Sequence, residues 1–226
     1  GLGDVYKRQY CQYVDEGYTD VIHVPINKSG SSTYNNALMA QGMLREERPE
    51  HHLNIHLLDP HTYSMVFGWY LCEMARKLKN GAELSHVIQE FEKQMNCMEI
   101  ILGPYSLKQM KKSGRISAAA AVMGELMGVR PIITLIDGKT KVESKVRGDD
   151  KVIPAMIDLC KKRTEGVEDF DYMIGHTSIP QAAELEKACR KAFGKAPLST
   201  FNLGGVVSAN TGPDTLALVY VGKPRD

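Results

Sequence analysis

The sequence predicts an α/β protein in two parts, a partial parallel-sheet (Rossmann-like) N-terminal domain followed by a mixed α/β C-terminal domain. Three observations predict it. Strand and helix patterns alternate strictly from Asp20 to Leu78, the signature of a βαβ unit. The dipeptide Asp137-Gly138 then stands between two alternating runs, a strong hairpin signal. Helix and strand patterns alternate again from Val152 to Val221.

Each element has its own local cause. Asp20–Ile26 is a short apolar run bounded by turn residues, hence a strand, and Asn27–Ser32 is a Ser/Gly loop. Thr33–Leu44 carries Ala and Met at helical spacing, Leu53–Leu58 is a second strand ended by Asp59-Pro60, and Ser64–Leu78 is a helix stopped by Asn80-Gly81. Leu84–Met95 is amphipathic and helical, and Met98–Leu102 is a strand. Leu107–Lys112 and Ser117–Met127 are helices split by Ser113-Gly114. Pro131–Ile136 and Lys139–Lys145 form the hairpin, followed by helix Val152–Lys162, strand Asp171–Gly175 and helix Gln181–Phe193. Strands Leu198–Asn202 and Leu216–Val221 flank a Gly/Ser/Thr-rich loop, Gly204–Pro213. The change of rhythm divides the chain into residues 10–93 and 94–226. Residues 1–9 read as a sequencing or cloning scar and are set outside the fold. Two strands make too thin a parallel layer, so the first part is expected to lack its N-terminal edge.

Composition narrows the function. The 226 residues are 43% hydrophobic and 24% charged, ordinary for a chain with a buried core. A net charge of +1 gives no global field toward nucleic acid or anionic lipid, although basic residues cluster at Lys108–Arg115 and Lys139–Arg147. No apolar run reaches the ~18 residues of a membrane span, and no stretch has a signal-peptide pattern, so stable membrane insertion is not expected. The 5 cysteines never fall in CxxC spacing, which points to a reducing, cytoplasmic setting rather than a disulfide framework or zinc site. Cys72 and Cys160 sit in helical patterns as small buried hydrophobes.

Four segments could carry chemistry. Ser31, Ser32 and Thr33 lie at a strand-to-helix turn, where unpaired amides and the helix dipole favour a carboxylate or small anion. The same hydroxyls also suit plain N-capping. Asn210 and Thr211, in Asn-Thr-Gly-Pro, suit either a head group or simple turn chemistry. Arg115 and Arg147 could each grip a carboxylate or phosphate, or lie solvated. The histidines, His51, His52 and His56 among them, show no metal-ligand spacing, and no P-loop, GxGxxG or Gly-x-Ser-x-Gly elbow occurs, so neither metal nor cofactor is expected.

Taken in order, Ile26…Ser31-Ser32-Thr33-Tyr34-Asn35-Asn36-Ala37, Asp59…Ser64…Gly68, Tyr105-Ser106-Leu107…Ser113-Gly114-Arg115-Ile116-Ser117, Pro131-Ile132…Asp137-Gly138…Lys145-Val146-Arg147-Gly148 and Asn210-Thr211-Gly212-Pro213…Leu216-Ala217 resemble the DegV family. The match runs over roughly residues 10–224. The resemblance implies a non-catalytic protein holding a long-chain fatty acid between two α/β domains, related to the acyl-binding subunits of bacterial fatty-acid kinase. It implies Ser31, with Ser32, Thr33, Asn210 and Thr211, around the carboxylate, and Arg115 and Arg147 in partner docking or phosphate handling. Three residues depart from the family pattern: Ser32 for Gly, Asn210 for His and Asp214 for Gly. Asn can donate to a carboxylate but cannot shuttle a proton as His does. The family's N-terminal segment, with its own carboxylate-binding loop, is expected to be missing. Beside the carrier stand two alternatives, an acyl-presenting subunit of a kinase complex and a hydrolase using Ser31. No general base at a recognisable spacing supports the last.

Overall fold

The structure, a computed structural model, describes residues 1–114, 117 and 128–225. Contacts divide the chain into two compact units, Gly1–Tyr63 and Ser64–Asp226.

The first unit runs α1 (Leu2–Asp15), β1 (Asp20–His23), α2 (Thr33–Glu47), β2 (Asn54–Leu57). Strands β1 and β2 pair in parallel, Asp20 opposite Asn54 through His23 opposite Leu57, with α2 as the crossover. Residues 2–9, set outside the fold above, are its first helical turns. Tyr6 and Tyr10 pack with Ala40, Leu44 and Leu53, and Lys7 meets Glu47 at 2.5 Å, so helix α1 covers α2. Helix α2 buries Ala37, Ala40 and Leu44, the i, i+3, i+7 stripe that its sequence requires. Met39, four residues before Met43 on the same helix, is 63% exposed and belongs to no core.

The second unit runs α3 (Met65–Lys79), α4 (Leu84–Cys97), β3 (Met98–Pro104), α5 (Lys108–Ser113), β4 (Val129–Ile136), β5 (Lys139–Arg147), a 3-10 turn (Asp149–Lys151), α6 (Val152–Arg163), β6 (Tyr172–His176), α7 (Gln181–Phe193), β7 (Thr200–Asn202), α8 (Gly205–Thr211) and β8 (Thr215–Val221). Its six strands are ordered β5-β4-β3-β8-β6-β7. Every pair is antiparallel except β6–β7. The hairpin turns at Asp137 (φ 48) and Gly138 (φ 72), both left-handed as a two-residue type I′ turn demands. The 93/94 division expected from rhythm falls inside α4, and contacts group α3 and α4 with the second unit, because α4 passes into β3 with no linker.

Strand alternation builds the core. Leu216, Leu218 and Tyr220 join Ile101, Ile132 and Ile174 against Val152, Met156 and Cys160 of α6 and Leu185 and Cys189 of α7. Gly103 lets α6 approach, since a Cβ there would strike Met156 and Val152. Cys160 is buried as expected, but Cys72 is exposed, because the buried residues of α3, Val66 and Met74, turn the opposite side of that helix to the core. The helix expected over Ser117–Met127 lies, apart from Ser117, outside the described residues, as do Met123 and Met127.

Candidate functional site

The turn ahead of α2 is organised by Asn27, which is 1% exposed. Its Oδ1 accepts from Ser29 N (2.8 Å), Ser29 Oγ (2.6 Å) and Gly30 N (3.1 Å). Two backbone N–H donors at that atom fix it as oxygen, and so fix Nδ2 at the other end of the amide. Asn27 N donates to the Thr62 carbonyl at 3.0 Å, tying the turn to the segment before Ser64.

The hydroxyls then take different tasks. Ser31 Oγ accepts from Thr33 N at 3.3 Å, which leaves its own hydrogen for a further acceptor. Ser32 is the N-cap residue of α2 but makes no side-chain cap; its φ of −75° is open to any residue, so Ser in place of the family's Gly strains nothing. Thr33 Oγ1 is buried without a partner. Capping therefore engages only the Thr33 amide, and the end of this 15-residue helix stays positively polarised. The strict glycine of the turn is Gly30, where a Cβ would collide with the Tyr63 hydroxyl.

The segment 59–63 braces this turn. Asp59 Oδ1 accepts from Lys28 N (3.3 Å) and His61 N (2.9 Å), and its Oδ2 lies 3.9 Å from Lys28 Nζ. His61 holds left-handed backbone (φ 56), a costly conformation kept by the bond from its amide to Asp59. The Lys28 ammonium also lies 5.7 Å from the Tyr34 ring centroid. With Asp59 balanced by Lys28, the field left at the turn is that of the helix end, suited to one negative charge.

The remaining candidates lie in the second unit. Asn210 and Thr211 do not stand in a loop: residues 205–211 form helix α8, ended by Gly212 at φ 90. The stretch closes as a helix because Ser208 Oγ donates to Leu203 O (3.0 Å) and Gly212 N donates to Ser208 O (2.8 Å). Asn210 Nδ2 donates to Val206 O at 2.8 Å, and Thr211 Oγ1 lies 3.3 Å from Gly212 O. Beyond them, Thr177 Oγ1 donates to the Pro213 carbonyl and accepts from Thr215 N at 3.0 Å, pinning the turn to the end of β6. Arg147 ends β5 opposite Val129, exposed, with no ion pair among the described residues. Arg115 lies outside the described residues.

A separate cavity of about 290 Å³ lies between α3 and α4, lined by Tyr70, Met74, Lys77, Val87, Phe91 and Gln94 among others, and holds none of the predicted site residues. Among the described residues no group of three or more His, Cys, Asp or Glu side chains is placed to hold a metal ion. Sequence reasoning missed Asn27, Gly30 and Tyr63. An Asn two residues before a Ser-Gly pair is an Asx-turn signal that could have found the first. Nothing local marks Tyr63.

Comparison with known proteins sets this geometry in a family. A family model described as an uncharacterised protein of the DegV family matches residues 3–223. A DegV domain-containing protein of Staphylococcus aureus (strain COL) is 30% identical over 223 residues, covering 95% of this chain and 73% of the relative. One from Clostridium acetobutylicum is 26% identical over 202 residues, covering 89% and 70%. Among solved structures, a stearic acid-binding protein from Eubacterium ventriosum superposes with a TM-score of 0.85 at 22% identity, covering 98% of this chain and 76% of that one. A fatty acid binding DegV family protein from Streptococcus agalactiae gives 0.82 at 24% identity, covering 99% and 77%.

Proposed function

Since this chain belongs to the DegV family, we propose that it is a non-catalytic carrier of a long-chain fatty acid, with the acid's carboxylate at the Ser31 turn. One observation carries the reading: at the start of α2, Ser31 Oγ takes a single amide while Asn27 Nδ2 and Thr33 Oγ1 are buried without partners. Buried donors left without an acceptor suit a carboxylate, which accepts several hydrogen bonds at once. Relatives of the same fold described as binding fatty acids support the ligand class.

The energetics divide the work between tail and head. Burying about 14 methylenes contributes on the order of 11 kcal/mol before ordering costs. One hydrogen bond to the head group contributes about 1 kcal/mol. The tail therefore sets affinity and the Ser31 turn sets orientation. Asn210 Nδ2 already gives one hydrogen to the Val206 carbonyl, whereas the Ser31 turn holds buried donors with no partner, so the turn in the first unit carries the assignment. Five unpaired cysteines fit a cytoplasmic setting.

Mass spectrometry of lipid co-purifying with the chain expressed in bacteria tests the reading. The expected result is one fatty acid per chain. Absence of both co-purified lipid and a thermal shift on adding oleate would overturn it. A second reading, the acyl-presenting subunit of a kinase complex, is favoured by exposed Arg147, a cation at a strand end with no ion pair among the described residues. Acyl-phosphate formed with a competent kinase partner and ATP, and lost in Arg147→Ala, would establish it.

A further inference from the structure

Buried side-chain polar atoms nearly always have hydrogen-bond partners. Four among the described residues have none: Asn27 Nδ2, Thr33 Oγ1, Thr62 Oγ1 and Tyr70 Oη. Three of these four belong to the Ser31 turn or to the residue bonded to it, since Asn27 N donates to Thr62 O at 3.0 Å. The clustering matters because Asn27 is 1% and Thr62 4% exposed, so neither group reaches solvent. Asn27 cannot relieve its amide by flipping, because Ser29 N and Gly30 N hold the oxygen end. All three are donors, and an unmet donor of this kind destabilises the empty protein. A bound acceptor removes that cost.

We propose that Asn27 and Thr62 are head-group residues, donating from Nδ2 and Oγ1 to the carboxylate received at the Ser31 turn. The assignment rests on the reading of that turn as the fatty-acid site and extends it to residues outside the Ser-Ser-Thr motif. Asn27 then has two tasks on one planar amide: its oxygen shapes the turn, and its nitrogen meets the ligand.

The two tasks separate in Asn27→Asp. Aspartate keeps an acceptor for Ser29 N and Gly30 N and replaces the donor by a charged oxygen. Isothermal titration with oleate and with oleyl alcohol reads the result. Expected is a loss of about thirtyfold or more for oleate, with the uncharged alcohol held within about threefold. Thr62→Val, which removes a hydroxyl at constant shape, should weaken oleate several-fold while the ligand-free melting temperature stays level or rises, because an unpartnered buried hydroxyl is gone. Equal losses for both ligands in Asn27→Asp would mean a merely structural residue. No loss in either variant would mean that ordered water alone meets these donors. Both outcomes overturn the proposal. A wild-type chain that binds neither ligand removes the fatty-acid reading itself, and this assignment with it.

Discussion

Glu99 and Arg163 form a two-pronged ion pair on the core face of the six-stranded sheet, Nη2 to Oε1 at 2.9 Å and Nε to Oε2, with the Tyr220 hydroxyl donating to Oε2 at 2.6 Å. Glu99 is 6% and Tyr220 0% exposed while the Arg163 side chain is 30% exposed, so strands β3 and β8 and helix α6 are joined by a charge pair buried on its carboxylate side. Breaking one partner of such a pair is far worse than never having had it. Glu99→Gln should therefore lower the unfolding free energy by about 3 kcal/mol, read from the urea midpoint at unchanged slope. A loss below about 0.5 kcal/mol, the size of an exposed pair, would mean that the pair is solvated.

The same cluster predicts behaviour in alkali. Burial, then the bond to Glu99, raises the Tyr220 hydroxyl well above its usual value of 10.0. Burial pushes Tyr70, Tyr105 and Tyr172 up to about 12. Groups raised in the folded state hold protons that the unfolded chain releases, so their stabilisation is full below pH 10 and is lost as pH climbs toward 12 and beyond. Stability should fall from about pH 10 upward, with tyrosinate absorbance rising together with unfolding. Smooth tyrosine titration at pH 10 in a protein that stays folded would contradict this.

In the first unit the sign reverses. His23 Nδ1 lies 2.6 Å from the Tyr10 hydroxyl, and burial lowers the imidazole below its usual 6.5. A lowered histidine contributes stability above its unfolded value, and that contribution is lost as pH falls below 6.5 through the folded value. His23→Asn should flatten the acid limb of the stability curve while lowering stability at pH 7. An unchanged acid limb would assign that limb to other groups.

The Ser31 turn yields three substitutions with different outcomes. Ser31→Ala should weaken oleate by about fivefold, one hydrogen bond's worth, and lower stability by about 1 kcal/mol, since Ser31 Oγ accepts from the Thr33 amide. Gly30→Ala should cost more binding than Ser31→Ala, because its methyl group displaces the Tyr63 hydroxyl. Ser32→Gly, which restores the family residue, should change stability by only a few tenths of a kcal/mol, since Ser32 makes no cap and has φ −75. Oleate titration and thermal melts check all three.

Much of this fold was legible in the sequence because its signals are local. The Asp137-Gly138 hairpin, the crossover helix α2 and the α7 periodicity each depend on residues within a few positions of one another. The misses are non-local or graded. Gly204–Pro213 reads as loop from its glycines, yet residues 205–211 close a helix, stapled by Ser208 to Leu203 and leaned on by Gln109 from α5 (2.6 Å to Ala209 O). Cys72 reads as buried from its helix, but the helix face was unknown until the burial of Val66 and Met74 fixed it. In the candidate site the Ser31 hydroxyl was legible as a motif. Tyr63, thirty-three residues beyond Gly30, was not, because only folding brings its hydroxyl there.

Asn210 is where family pattern and local geometry pull apart. The resemblance assigns its side chain to the carboxylate, as the replacement for a histidine. Its Nδ2 instead donates to Val206 O at 2.8 Å, in the last turn of α8. With one Nδ2 hydrogen committed there, the amide lies along its own helix, and its second hydrogen adds little to a head group held elsewhere. Asn210→Ala should accordingly change oleate affinity by less than about twofold, well under the effect of Ser31→Ala. A tenfold loss in Asn210→Ala would mean that the side chain turns from its helix to the head group on binding. Asn210→His would then become the substitution that tests proton transfer.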